Sequence, residues 1–332
     1  MSAVEALLAP ADAVRAKVYR LLAPWAGPLF ADRSLRVAWL GAVQVVLAFL
    51  LTLAAPLWTL ALGPVLLGVP HLVSDARYLV VRPGLHRRTV LVLLCGAPLL
   101  ATCFGAGPVV GLLALPPAIL WARGPWQRKG PMLGIWATLT SLAWDFGATF
   151  QLVFAHLHNL VAVALWWWAW RERHARAWAV PLLAVAGTVL LLLGAAEPVL
   201  TALGGWNAPW TGSSFTQHAQ VLAPHAPAVL VPRLVLAFAF LQSVHYGVWL
   251  RLIPEDDRPR AAPRPWRATW RALVEDFGVV PLTLFTALAL GIAVWGVVDL
   301  TQARLGYLRL AAFHGYLELA VGALWLTEGR RG

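Results

Sequence analysis

Two pairs of residues, His71 with Asp75 and His314 with Glu318, each set an imidazole and a carboxylate four positions apart. On a helix that spacing puts both groups on one face, one turn from each other. Each pair falls in an apolar run long enough to cross a bilayer, about 57–81 and about 305–326. An ionisable group at that depth costs roughly 2.5–3.5 kcal/mol by insertion scales unless it finds a partner. Further histidines stand in two other apolar runs, His156 and His158 within 148–170 and His245 within 228–252. Imidazoles joined by one or two carboxylates are the donor set of Fe(II) or Zn(II) sites, and open positions favour iron and O2 chemistry.

The expected metal ligands are therefore His71, His156 or His158, His245 and His314. His156 and His158 are two positions apart, roughly 200° of helix rotation, so one faces the site and the other a neighbouring helix. Asp75 and Glu318 serve as co-ligands, or as acceptors that fix the tautomer of the imidazole one turn away. Tyr246 directly follows His245 and is a candidate for orienting substrate, and Tyr78 and Tyr316 also lie beside these residues. No organic cofactor is called for. His86, His174, His218 and His225 fall in loops, where solvation explains them.

The elements that position these groups are membrane helices. The 332 residues are 60% hydrophobic and 12% charged, with a mean hydropathy of +0.70, more apolar surface than a soluble protein of this size hides. The fold class is all-α, a polytopic integral membrane bundle of about ten transmembrane helices. The spans are about 37–56, 57–81, 89–104, 109–121, 132–146, 148–170, 178–193, 228–252, 278–298 and 305–326, the fifth and sixth divided at Asp145-Phe146-Gly147. Residues 1–36 form an N-terminal segment whose stretch 4–23 reads as an amphipathic helix on the membrane surface, with no cleavable signal peptide. The transmembrane domain, 37–327, carries an outer loop near 194–227 and a cytoplasmic loop near 254–271.

The net charge of +11 would suggest nucleic acid for a soluble protein; here the positive-inside rule accounts for it and no nucleic-acid partner is expected. With both termini cytoplasmic, all Lys and Arg except Arg233, Arg304 and Arg309 fall on the inner side of the cell membrane. The histidine-bearing spans are all even-numbered and so run parallel. Cys95 and Cys103, eight residues apart in one run, imply neither a disulfide nor a zinc site.

Gly68-Val69-Pro70-His71-Leu72-Val73-Ser74-Asp75 resembles the G-x-P-H-x-x-x-D motif of the prokaryotic Brp/Blh membrane β-carotene dioxygenase family. Ser243-Val244-His245-Tyr246-Gly247 is similar to that family's S-x-x-H-F-G segment, one residue shorter, and Phe313-His314 fits its late membrane histidine. The resemblance covers about thirty residues; Ala76 stands where the family motif often continues with histidine, and Tyr246 replaces its Phe. It implies iron held by membrane histidines, with His71, His245 and His314 as ligands and Asp75 behind them, O2 as co-substrate and a long apolar polyene as substrate. Together these readings point to a membrane metal oxygenase acting on an apolar lipid such as a carotenoid, another isoprenoid or an acyl chain. A transporter or proton-coupled channel that uses the same groups as relays, and a non-catalytic lipid-binding factor, are the other classes open to such a chain.

Overall fold

The computed structural model describes residues 3–170, 175–208, 212–258, 260 and 262–329. The described chain is helical, with α1 Ala3–Ala31, α2 Arg33–Ala54, α3 Pro56–Val81, α4 Thr89–Cys103, α5 Pro108–Leu120, α6 Trp126–Trp170 and α7 Ala179–Leu192. They are followed by α8 Phe215–Leu222, α9 Val231–Asp256, α10 Trp266–Phe277, α11 Val279–Val298 and α12 Leu300–Glu328. Six of these (α2, α3, α6, α9, α11 and α12) are long and apolar enough to cross a membrane, and α4, α5 and α7 are shorter apolar helices. Their outward faces stay apolar, with Leu93, Trp144, Leu284, Val297 and Val298 all exposed. That is the pattern of a membrane protein.

Local chemistry sets the boundaries. Asp32 caps α2 by accepting from the Leu35 N–H at 3.2 Å, and Asp299 caps α12 by accepting from Gln302 N–H at 2.9 Å. Pro56 and Pro108 open α3 and α5, where a missing N–H costs nothing. Within α6 the backbone breaks at Gly147, whose φ of 42° and ψ of −107° suit only glycine, in the same Asp-Phe-Gly tripeptide at which the sequence divides this run.

At the centre is α9. It is buried along almost its whole length, from Val235 to Ile253, and packs against α2, α3, α6 and α7. Trp166, Trp249, Tyr307 and Phe240 are the largest side chains wholly removed from the surface. Two of the site-bearing helices carry π turns. Wider π turns interrupt α3 at 63–67 and 76–81 and α9 at 248–252, on either side of His71 and just after His245. Such turns leave carbonyls for other donors. Pro64 cannot donate to the Leu60 carbonyl one turn back, and Arg304 Nε does so at 2.9 Å. Likewise Ser74 Oγ donates to the Trp249 carbonyl at 2.6 Å, tying α3 to α9.

The hydrophilic segments pair with each other. Asp12 of α1 accepts from the Trp266 N–H at 2.7 Å and from Arg267 Nε at 3.0 Å, while Glu5 meets Arg271. The N-terminal segment forms a helix, Ala3–Ala31, joined by these pairs to α10, which begins inside the stretch read as the 254–271 loop and runs past its end. The 194–227 loop holds two short helices, Glu197–Ala202 and α8, the second with a capping box between Ser214 and Gln217.

Charged residues at the ends of α2, α3, α9 and α12 form a rim: Arg36 with Glu255, Arg77 with Asp276, Arg82 with Asp257 and Arg88 with Glu328. Burial is the first influence on the Asp257 carboxyl, just beyond α9, and raises its pKa. Arg36 is the most buried of these arginines; it holds Glu255 at 2.6 Å and also donates to the Leu29 and Phe30 carbonyls at the end of α1. Removing one partner of such a buried pair costs about 3–5 kcal/mol. Glu255→Leu is expected to lower the melting temperature in detergent accordingly, and an unchanged unfolding curve would contradict this placement of the pair.

Candidate metal centre

His71, His158, His245 and His314 come from four different helices, α3, α6, α9 and α12, and their rings meet in one place. Successive ring centroids lie 5.3 Å apart for His71–His245, 5.2 Å for His245–His158, 4.9 Å for His158–His314 and 5.0 Å for His314–His71. The diagonal His245–His314 is 5.6 Å. Every one of these contacts is edge to face.

Nitrogen atoms of His71, His245 and His314 all lie within 4.8 Å of one another. A point within about 2.8 Å of all three exists for any such triangle, close to the roughly 2.0–2.1 Å of a metal–imidazole bond. Backbone carbonyls decide which nitrogens are free. His158 Nδ1 bonds the Ala155 carbonyl at 2.8 Å, and His314 Nδ1 bonds the Ala311 carbonyl, both one turn back on the ring's own helix. A proton on Nδ1 leaves Nε2 as a lone pair, the tautomer that metal-binding histidines adopt. The Nε2 atoms of His71 and His245 are buried and have no hydrogen-bond partner among the described residues.

The carboxylates stand against the same rings. Asp75 Oδ2 is 3.8 Å from His71 Nε2, and Glu318 Oε1 is 4.0 Å from His245 Nε2. Both gaps exceed a hydrogen bond, yet fall within the ~4.2 Å that two bonds of about 2.1 Å span end to end. Both oxygens of Asp75 and Oε2 of Glu318 are buried without a donor among the described residues. Trp249 Nε1 donates to Glu318 Oε1 at 2.9 Å. Glu318 thus faces the histidine of α9 rather than His314 on its own helix. Orphaned nitrogens and orphaned carboxylate oxygens in one buried pocket are the complement that a divalent cation satisfies. The donor set fits Fe(II) or Zn(II).

The expectations for the remaining residues divide. Of the two candidates on α6, His158 joins the cluster. His156 does not: its Nε2 bonds the Leu222 carbonyl at 2.9 Å and its ring packs edge-on against Phe238 at 5.2 Å, as the two-residue spacing requires of one of them. Tyr246 lies 4.8 Å from the His71 ring, whereas Tyr316 packs on Phe154 and Tyr78 beside Arg77. His86 and His225 are exposed, and His174 lies outside the described residues. His218 departs from its solvated reading: it is buried, its Nε2 is 2.6 Å from Ser213 Oγ, and burial, with Arg304 nearby, holds its pKa down at about 4.

Sequence reasoning passed over Tyr307, Trp249 and Arg304. Tyr307 Oη is 3.1 Å from His71 Nδ1. The signal for it was present, since Tyr307 precedes His314 by seven positions and therefore shares its face. The ring fits because Gly68 has no side chain: a Cβ there would stand 2.4 Å from Tyr307 Cε2 and Cζ. An apolar cavity of about 670 Å³ opens between α2, α3 and α9, lined by Leu47, Leu51, Trp58, Leu62 and Leu66 among others, and Tyr246 sits in its wall. The cavity therefore reaches the histidine cluster through one side chain.

Loss of a hydrogen bond that orients a ligand typically weakens metal binding by about 10–100-fold. Tyr307→Phe, and Gly68→Ala by displacing the same ring, are expected to do so in equilibrium titration with Zn(II); wild-type affinity in both would show that Tyr307 does not support His71.

No family model, curated protein or solved structure matches this chain.

Proposed function

We propose that the protein is a membrane-embedded oxygenase that holds one iron ion on His71, His158, His245 and His314 and acts on an apolar lipid with O2. What supports the reading above all is that nitrogens of His71, His245 and His314 lie within 4.8 Å of one another, with the His158 ring edge-to-face against two of these rings and unpartnered oxygens of Asp75 and Glu318 nearby. Iron bound there supplies the centre at which O2 is taken up and reduced. Asp75 and Glu318 balance its charge, directly or through His71 and His245. Tyr307 orients His71. Leu47, Leu51 and Leu66, which are half exposed along the cavity mouth, let an apolar chain enter sideways from the bilayer. A carotenoid, another isoprenoid or an acyl chain meets that requirement, and the likeness of the segments around His71 and His245 to the Brp/Blh dioxygenases favours the first.

On the same reading the chain crosses the cell membrane ten times. The six long helices contribute seven crossings, with α6 crossing on each side of Gly147, and α4, α5 and α7 contribute the rest. Both termini then lie in the cytoplasm, and the rim of ion pairs from Arg36 to Glu328 faces inward, in keeping with the excess of Lys and Arg there.

Metal analysis of protein purified in mild detergent from iron-supplemented cells tests this. About one iron per chain is expected, since imidazole-rich sites with open positions suit Fe(II). His71→Ala and His245→Ala lose it, while His156→Ala, which removes a side chain bonded elsewhere, keeps it. Wild-type protein free of iron and zinc would reject the oxygenase and favour a proton relay through the same residues.

A further inference from the structure

The two ends of the cavity between α2, α3 and α9 differ in chemistry. Antiparallel packing sets its levels: Gly41 of α2 lies against Leu252, Gln44 lies across Gly247, and Gly63 of α3 meets the Tyr246 ring. The lining on α2 starts at Leu40 and reaches Ala55, about 22 Å of helix, most of the ~30 Å hydrocarbon core of a bilayer. Leu51, Ala55 and Trp58 close the end away from the charged rim, and Leu40, Gln44 and Arg251 stand at the rim end.

Arg251 has the weakest hold on the rim. Arg36 takes Glu255 Oε1 at 2.6 Å and Arg258 takes Oε2 at 2.8 Å, while Arg251 Nη1 stands off from the same Oε2 at 3.5 Å. Three guanidinium groups thus face one carboxylate. Arg258, just beyond α9, registers the excess: burial lowers its pKa to about 10, Glu255 raises it, and Arg251, Arg264 and Arg36 lower it further. The Arg251 side chain is 41% exposed, against 3% for Arg36 and 11% for Arg258, so it is the one able to meet another anion.

A guanidinium at one end of a long apolar cavity complements a lipid with an acid head, the chain lying along the walls and the carboxylate against the fork of donors. The volume of about 670 Å³ falls within the ~300–1,000 Å³ of sites that hold one small ligand. Tyr246 precedes Arg251 by five residues on α9, about 7 Å along the axis. An occupant anchored at Arg251 therefore presents a point along its chain, not its head, to the side chain that stands beside His71.

We infer that the cavity holds a single-chain lipid acid, its carboxylate bound by Arg251 and its chain laid along α2 past Tyr246. The inference narrows the apolar lipid of the oxygenase reading to one that carries an acid, and rests on that reading for any chemistry after binding. A chain without an acid offers Arg251 nothing.

Octadecanoic acid and octadecanol share a chain and differ in the head. Each is incubated in deuterated form, at a pH alkaline enough to ionise the acid, with the full chain purified in an uncharged detergent. The sample is passed over a desalting column and the retained lipid is counted by mass spectrometry. The wild type is expected to retain the acid about tenfold better, the order of one charge-assisted hydrogen bond. Arg251→Gln is expected to bring the ratio near one and to leave alcohol retention unchanged. Arg87→Gln, which removes an exposed arginine outside the cavity lining, keeps the preference, and Leu47→Trp, which fills the cavity, lowers retention of both probes. No preference in the wild type, a preference that survives Arg251→Gln, or one lost equally in Arg87→Gln overturns the inference. So does stronger retention of dioleoyl phosphatidic acid than of octadecanoic acid, which would make the occupant a phospholipid. Iron content measured on the same samples keeps the two readings apart. A metal-free protein that prefers the acid upholds the lipid site and rejects the oxygenase, and an iron-bound protein without preference does the reverse.

Discussion

Everything in this molecule is arranged around the expense of polar groups in an interior that water does not reach. An imidazole, a carboxylate or an amide placed there loses its hydration, and only a partner of matching chemistry returns it. The chain places His71, Asp75, His245 and Glu318 at almost zero exposure and leaves several of their atoms without partners among the described residues. Several other buried polar side chains find a partner for at least one atom. Ser74 bonds the Trp249 carbonyl, Arg304 the Leu60 carbonyl, and Trp166 donates to Asp256 at 2.6 Å. Imidazole nitrogens and carboxylate oxygens left without partners and gathered at one place are a set that a bound cation would complete.

The supporting scaffold obeys the same accounting. Four helices must be held at one depth and one rotation for their rings to converge. Burial of α9 on every side fixes His245, and the packing of α9 against α2, α3, α6 and α7 makes it the reference for the others. Prolines and π turns near His71 and His245 free backbone carbonyls, and side chains from other helices claim them. The irregularities therefore act as sockets, each fixing one helix against another close to the cluster.

Much of this was legible in the residues, and the illegible part has a physical reason. Histidines in apolar runs are rare enough to point inward, and His71, His245 and His314 did. The glycine of Asp145-Phe146-Gly147 marked the break in α6, because a run of that length needs one and glycine permits it. The choice between His156 and His158 was closed to sequence: their spacing says that they diverge, not which way α6 is rotated. The partner of Glu318 was closed too, since the i, i+4 rule sees only its own helix while the imidazole it faces, His245, comes from another. Trp249 was hidden among 19 tryptophans, with nothing in its spacing to set it apart. Tyr307 shared a face with His314, but its importance depends on Gly68, a residue 239 positions away in the chain.

The wide turn at 76–81 separates two jobs on one helix. Upstream, His71 and Asp75 need a rotation dictated by the ring cluster; downstream, Arg82 must meet Asp257 in the charged rim. A regular helix would lock those two orientations together at 100° per residue. By taking up one extra residue, the turn lets the inner chemistry and the surface anchor settle at independent angles. Insertions or deletions of single residues at this point would therefore re-aim the anchor and spare the ligands, giving the helix a built-in adjustable coupling.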